Sequence, residues 1–178
     1  INYYDETKEI AAINKEFELR EQDVLFNYNS SKAMLNELEK QMDSNIKRVI
    51  HNVQLVDKIN QASDLTGKIT QMETISTSSE DSGRQLLEYK NKLLQTRRDL
   101  SEISNQYVAG QYTKEGLNKG TIVEQWLDQL LLFEKAKAEL KIVQKSRNEL
   151  NAKYLHFAPV GTTIKRKERI INFTEQNY

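Results

Sequence analysis

Apolar side chains return every seventh residue along most of this chain. Tyr28, Leu35, Met42, Val49 and Val56 form one row, and Ile10, Phe17, Val24, Ser31 and Leu38 form a second row, offset from it by three or four. Paired rows of this kind are the a/d seam of a coiled coil, and they predict one long helix over about 4–72. Asn45 and Asn52 fall on the seam while Ile46 and Val53 lie one position beyond, which reads as a local drift of the stripe. Unbroken, such a helix would reach roughly 100 Å at about 1.5 Å per residue.

A second seam, Leu86, Leu93, Leu100 and Tyr107 with Tyr89 and Ile103 beside it, predicts a return helix over about 82–109. A third runs through Phe133, Leu140, Arg147 and Tyr154, with Ala136, Val143, Leu150 and Phe157 as its offset row, over about 121–157. The stretch TISTSSEDSG at 74–83 is rich in side chains that compete for backbone hydrogen bonds, so it is the expected hairpin tip. QYTKEGLNKG at 111–120 supplies a second connection, after which Thr121 and Glu124 have capping-box spacing. The expected fold is therefore all-α: a long antiparallel coiled-coil hairpin arm over 1–156, with one ascending helix and two descending ones.

Both rows of the third seam stop at the only proline, Pro159, two residues before Gly161. Proline lacks an amide donor and restricts the residue before it, so the helix ends near Ala158. Residues 157–178 then read as a break followed by a short basic amphipathic helix. Its apolar residues are Ile164, Ile170, Ile171 and Phe173, and Lys165, Arg166, Lys167 and Arg169 lie between them.

Composition agrees with long, thin helices. Charged residues make up 29% of the chain and hydrophobic ones 38%, with few of the glycines and prolines that closely spaced turns require. Basic and acidic residues balance at 26 each, so no net field draws the chain to nucleic acid or to a membrane surface. Absence of cysteine excludes disulfides and thiolate metal sites without choosing a compartment. No run of about 18 apolar residues is present to span a bilayer. Ile1 is not an initiator methionine, and the helical pattern continues to Tyr178, so the sequence is expected to be a piece of a longer protein.

Chemistry-bearing patterns are missing. His51 and His156 have no ligand-spaced partners, and solvated or seam-edge positions account for them. Phosphate-cradling glycine motifs and a Gly-x-Ser-x-Gly turn are both absent. The expectation is a non-enzymatic chain with no metal, no cofactor and no nucleic-acid partner. The basic cluster at 165–169 fits a polar helix face paired with Glu168, Glu175 or a neighbouring subunit; contact with anionic headgroups is the other reading. Trp126 fits a seam anchor or a subunit interface.

The blocks INYYDETKEIAAINKE, EQWLDQLLLFEKAKAELKIVQKSRNELNAKYLHFAPVGTTIKRKERII and EQNY resemble the periplasmic coiled-coil region of polysaccharide co-polymerases. Within that family the blocks resemble the branch of exopolysaccharide chain-length determinants of GumC- and Wzz-like type, as found in Bacteroidota. A family segment of the form F-A-P-x-G-x-x-x-K-R-x-E-R-x-I is matched here by Phe157, Ala158, Pro159, Gly161, Lys165, Arg166, Glu168, Arg169 and Ile170. Glu175 and Tyr178 match its E-x-x-Y ending. The likeness is specific only over about 124–178; residues 60–120 carry little beyond a generic coiled coil.

The resemblance implies the periplasmic portion of an inner-membrane protein, anchored by flanking membrane helices and serving chain-length control and export of exopolysaccharide or capsule. It implies a homo-oligomer that works with an outer-membrane polysaccharide export protein and the rest of the polysaccharide machinery. Some family members also carry a cytoplasmic tyrosine kinase domain, which this chain lacks. Heptads alone equally describe the helical hairpin of a periplasmic adaptor in secretion or efflux, or a generic coiled-coil scaffold. Adaptors place lipoyl-like β segments on either side of such a hairpin.

Leu140→Asp puts a charge on the third seam. Circular dichroism should show lost helicity and a lowered melting temperature, and an unchanged melt would refute the seam assignment.

Overall fold

A computed structural model describes residues 3–75 and 79–153. The described residues form helices α1 (Tyr3–Lys40), α2 (Ser44–Ile50), α3 (Val53–Thr74), α4 (Glu80–Val108) and α5 (Lys119–Lys153). Their only extended pairing is an isolated bridge between Tyr112 and Asn118. The protein is thus all-α, with the antiparallel helical hairpin arrangement that the seams predict. His156 and the segment carrying Phe157, Pro159, Gly161, Lys165, Arg166, Glu168 and Arg169 lie outside the described residues, as does the basic helix expected there.

The chain reverses once more than its heptads announce. In place of one ascending helix over 4–72 there are three, because two polar side chains start new helices inside the seam. The Asp43 carboxylate accepts from the Ile46 amide at 2.9 Å and caps α2. The Asn52 side chain accepts from the Gln54 amide at 3.0 Å and caps α3. Each satisfies an amide that a helix start leaves unpaired. Asn52 therefore marks a helix start, where the seam reading saw only drift.

The chain divides into two compact units, one formed by Ile1–Asp23 with Leu140–Tyr178 and the other by Val24–Glu139. In the second unit, α3 and α4 run antiparallel, with Lys58 on Asp99 at 3.1 Å and Glu73 on Lys90 at 3.2 Å. Helix α5 is antiparallel to α4, since Ser101 meets Glu124 and Arg97 meets Asp128. It is also antiparallel to the part of α1 in this unit: Trp126 Nε1 donates to Glu39 at 3.3 Å, and the Tyr28 and Phe133 rings lie 4.8 Å apart. These pairings make an up-down-up-down four-helix bundle, with α2 at the end where α1 turns into α3.

The bundle core is apolar, and its largest fully buried members include Phe133, Ile46, Leu55, Leu100 and Leu127. Tyr28, Leu35, Met42 and Val49 of the first seam are buried as expected, and Leu86 and Leu93 of the second are half-buried. After the Asn52 cap the buried face is shifted: Leu55 is fully buried while Val56 is partly covered. Tyr107 is exposed, and its neighbour Val108 takes the core position. Trp126 is an anchor of this core.

Buried Ser and Thr interrupt the apolar rows without leaving their hydroxyls unpaired. Ser31, Thr66, Thr70 and Thr96 each donate to a carbonyl one turn back, at 2.8, 2.8, 2.7 and 2.8 Å. The penalty for burying a polar group is thereby avoided.

Asp43 also ties the reversal to α5. Its carboxyl sits below the ordinary aspartate value of 3.8, held there first by the Ile46 amide and next by the Lys119 ammonium, 2.9 Å away. Because the folded value is lowered, this contribution to stability is present above 3.8 and is lost as pH falls through the folded value. Asp99, lowered by the Gln95 amide and then by Lys58, adds a change of the same sign. Asp43→Asn keeps a capping oxygen but removes the charge. Urea midpoints at about pH 5 and about pH 3 should differ less in this variant than in the parent; equal differences would refute the assignment.

Candidate functional site

No described residues assemble a catalytic constellation. Among them no group of three His, Asp or Glu side chains is placed to hold a metal ion. His51 is exposed, with Nδ1 2.6 Å from the Lys47 carbonyl at the end of α2, where that nitrogen is the donor. No described helix is long and apolar enough to cross a membrane. A well-formed candidate surface lies at the end of the bundle where α1 turns into α3 and α4 into α5.

Residues 109–118 make this end. Gly110 and Gly116 adopt φ of 72° and 85°, a left-handed conformation that only glycine takes without steric cost. Backbone bonds from Thr113 to Leu117 at 2.8 Å and from Lys119 to Gln111 at 2.9 Å fold the loop on itself. The Leu117 amide also donates to Thr113 Oγ1 at 3.1 Å, and Thr113 is buried. Asn118 accepts from the Thr121 amide at 3.0 Å. Helix α5 accordingly begins at Lys119, ahead of the expected Thr121 cap, and Glu124 is free to bind Arg97 at 2.7 Å.

Lys119 reaches across to Asp43 at 2.9 Å and Asn45 at 3.5 Å, so the two reversals are fastened together. Asn52 Nδ2 lies 3.4 Å from the Tyr107 hydroxyl, and Gln111 Nε2 donates to the Tyr107 carbonyl at 2.9 Å. On this hydrogen-bonded frame, large side chains face outward. Tyr112 is 62% exposed, and Val53, Tyr107 and Leu117 are also exposed. Lys47, Arg48 and Lys114 make no ion pair among the described residues. A ten-residue connection at 109–118 is longer than antiparallel neighbours require, and its backbone bonds hold aromatic and apolar groups exposed at the surface.

A contrasting arrangement occupies the other unit. Ile10, Leu140 and Val143 are buried there, and Leu150 is half-buried. With them is Arg147, whose Nη1 donates to Glu21 Oε2 at 3.2 Å, the two side chains being 2% and 1% exposed. One hydrogen bond is a thin return for burying two charges. Glu21 Oε1, Arg147 Nε and Nη2, the Asn151 amide and Asn14 Oδ1 are buried with no protein partner. Burial without full pairing costs several kcal/mol.

Sequence reasoning placed Arg147 on a seam but missed Glu21 and Asn14. The signal was available: stepping back by sevens from Tyr28 lands on Glu21 and then Asn14, polar residues on the buried row. Tyr112 and Leu117 had no such signal, because a loop has no period to place a side chain inside or outside.

Compared with known proteins, the chain matches no family model, no curated relative and no solved structure.

Glu21→Ala alone strands a buried guanidinium and should cost about 3–5 kcal/mol in urea unfolding. The pair Glu21→Met with Arg147→Met should restore or exceed the parent stability. If the double variant is less stable than the parent by as much as Glu21→Ala is, the pair is a net stabiliser and this account fails.

Proposed function

We propose that this chain is the helical periplasmic portion of a polysaccharide co-polymerase, acting without bond chemistry in chain-length control and export of exopolysaccharide or capsule. The observation that carries this reading is the sequence FAPVGTTIKRKERII following the third heptad seam, together with its resemblance to that family's segment. A rigid spacer is what such a role requires, and a continuous apolar core through four antiparallel helical segments is a physical basis for rigidity.

In this reading the proteins act as a homo-oligomer, anchored in the inner membrane by segments flanking this chain. Helices with exposed Leu and charged residues on their outer faces suit side-by-side packing of subunits. The fastened bundle end would meet the outer-membrane export protein or another part of the polysaccharide machinery through Tyr112, Leu117, Tyr107 and Val53. Tyrosine and apolar groups on an ordered frame make effective anchors because little conformational freedom is lost when they are covered.

The test is genetic. Deleting the gene in its host should abolish the surface polymer or change its length, and the intact gene should restore it. A gene carrying Tyr112→Ser and Leu117→Ser, both exposed positions, should yield a stable protein that fails to restore length. A deletion strain with normal polymer would refute the reading, and full restoration by the double variant would remove the bundle end from it.

A further inference from the structure

Helices α3, α4 and α5 leave an apolar groove between them in the Val24–Glu139 unit, with a volume of about 630 Å³. Its floor is Thr66, Ile69 and Thr70, all buried, with Leu93 and Leu131 packed against the core beside them. Both threonine hydroxyls are consumed by carbonyls of their own helix, at 2.8 and 2.7 Å, so neither calls for a polar ligand. Leu94 and Leu132 form the lips, at 58% and 54% exposed. Large side chains half in water on either side of an apolar trough are an unfavourable surface unless something covers them.

The groove is short and its ends differ. Each wall is one heptad, running 66–73 on α3, 90–97 on α4 and 128–135 on α5, or about 10 Å. One end is closed by Arg97, which donates to Asp128 at 3.0 Å and to Glu124 at 2.7 Å, bridging α4 to α5. The cation there is fully engaged by two carboxylates. At the other end stand Glu73, Lys90 and Lys135. Glu73 and Lys90 pair at 3.2 Å, while among the described residues Lys135 pairs only with Glu139 at 4.0 Å, the outer limit of an ion pair. The Lys-before-Glu order of that contact is also the weaker one on a helix.

We propose that this groove binds a single alkyl chain of medium length whose anionic head sits at the Lys90 and Lys135 end. At about 1.3 Å per carbon, roughly eight to ten carbons fill the heptad-long trough. The volume lies within the range of small-molecule sites. Charge selects the direction: a carboxylate or phosphate head finds two ammonium groups against Glu73 and the loosely held Glu139 at that end, and two carboxylates around a single engaged Arg97 at the other. A partner helix fits less well. About 10–12 Å across, it would have to break the pairs that cross both ends in order to run past them. This inference does not depend on the proposed polysaccharide role.

Decanoate, decyltrimethylammonium and decanol, added to the whole chain below their aggregation limits, test it by calorimetry and by methyl NMR. Decanoate should shift the Leu93, Leu94, Leu131 and Leu132 methyls and bind at least about tenfold tighter than the ammonium compound. Leu94→Gln with Leu132→Gln changes only half-exposed positions, so helicity should persist while decanoate binding weakens at least about tenfold. Lys135→Gln should weaken decanoate and leave decanol unchanged. Equal binding of the anionic and cationic probes overturns the proposal, as does absence of methyl shifts at about 1 mM decanoate. So does light scattering that shows a parent dimer which the leucine variant dissociates, for then a second copy covers the groove.

Discussion

Everything in the Val24–Glu139 unit follows from ending α1 at Lys40. Were the helix to continue, the apolar rows of 24–40 and 53–74 would lie end to end on one rod and could not share a core. The Asp43 and Asn52 caps let the chain turn back, which brings Leu35 and Leu55 into a single cluster with Leu100 and Leu127. A cap contributes only about 1 kcal/mol. Its influence on architecture is larger, because it decides which apolar faces meet. Lys119 adds to this by holding the Asp43 carboxylate from the far side of the chain.

The two units use polar groups inside helical contacts in opposite ways. In the bundle, buried hydroxyls of Ser31, Thr66, Thr70 and Thr96 bond to their own helix, so they add no demand on their neighbours. In the Ile1–Asp23 and Leu140–Tyr178 unit, Glu21 and Arg147 depend on each other across two helices, and the buried Asn151 side-chain amide has no hydrogen-bond partner among the described residues. Self-satisfied residues are tolerant of how helices slide. Cross-helix charges are not, and they penalise any alignment that separates them.

Heptads made the helices legible, along with most of what they bury. Phe133, Leu140 and Val143 lie where the third seam puts them, and the connections near 74–83 and 111–120 coincide with the ends of α3, α4 and α5. The reversal at 41–52 was hidden because Asn on a seam has two physical readings, a tolerated polar layer or a cap. Periodicity does not distinguish them; only the direction of the next helix does. The bundle-end surface was hidden for a different reason, since the exposure of Tyr112 and Leu117 is fixed by two left-handed glycines and a set of backbone bonds that no spacing encodes.

The contacts that α1, α2 and α3 make with α4 and α5 are nested, while those of Arg97 and Ser101 with α5 cross them. Glu73–Lys90 is enclosed by Lys58–Asp99, that by Asn52–Tyr107, then by Asn45–Lys119, Glu39–Trp126 and finally Glu21–Arg147. Each pair closes a loop at most about two and a half times as long as the one already closed inside it, and the entropy of loop closure grows with the logarithm of length. A chain organised in this way can zip outward from the α3–α4 turn with no single costly step. The α1 and α5 segments that carry Glu21 and Arg147 close the outermost of these loops, at the pair with the least to gain from meeting.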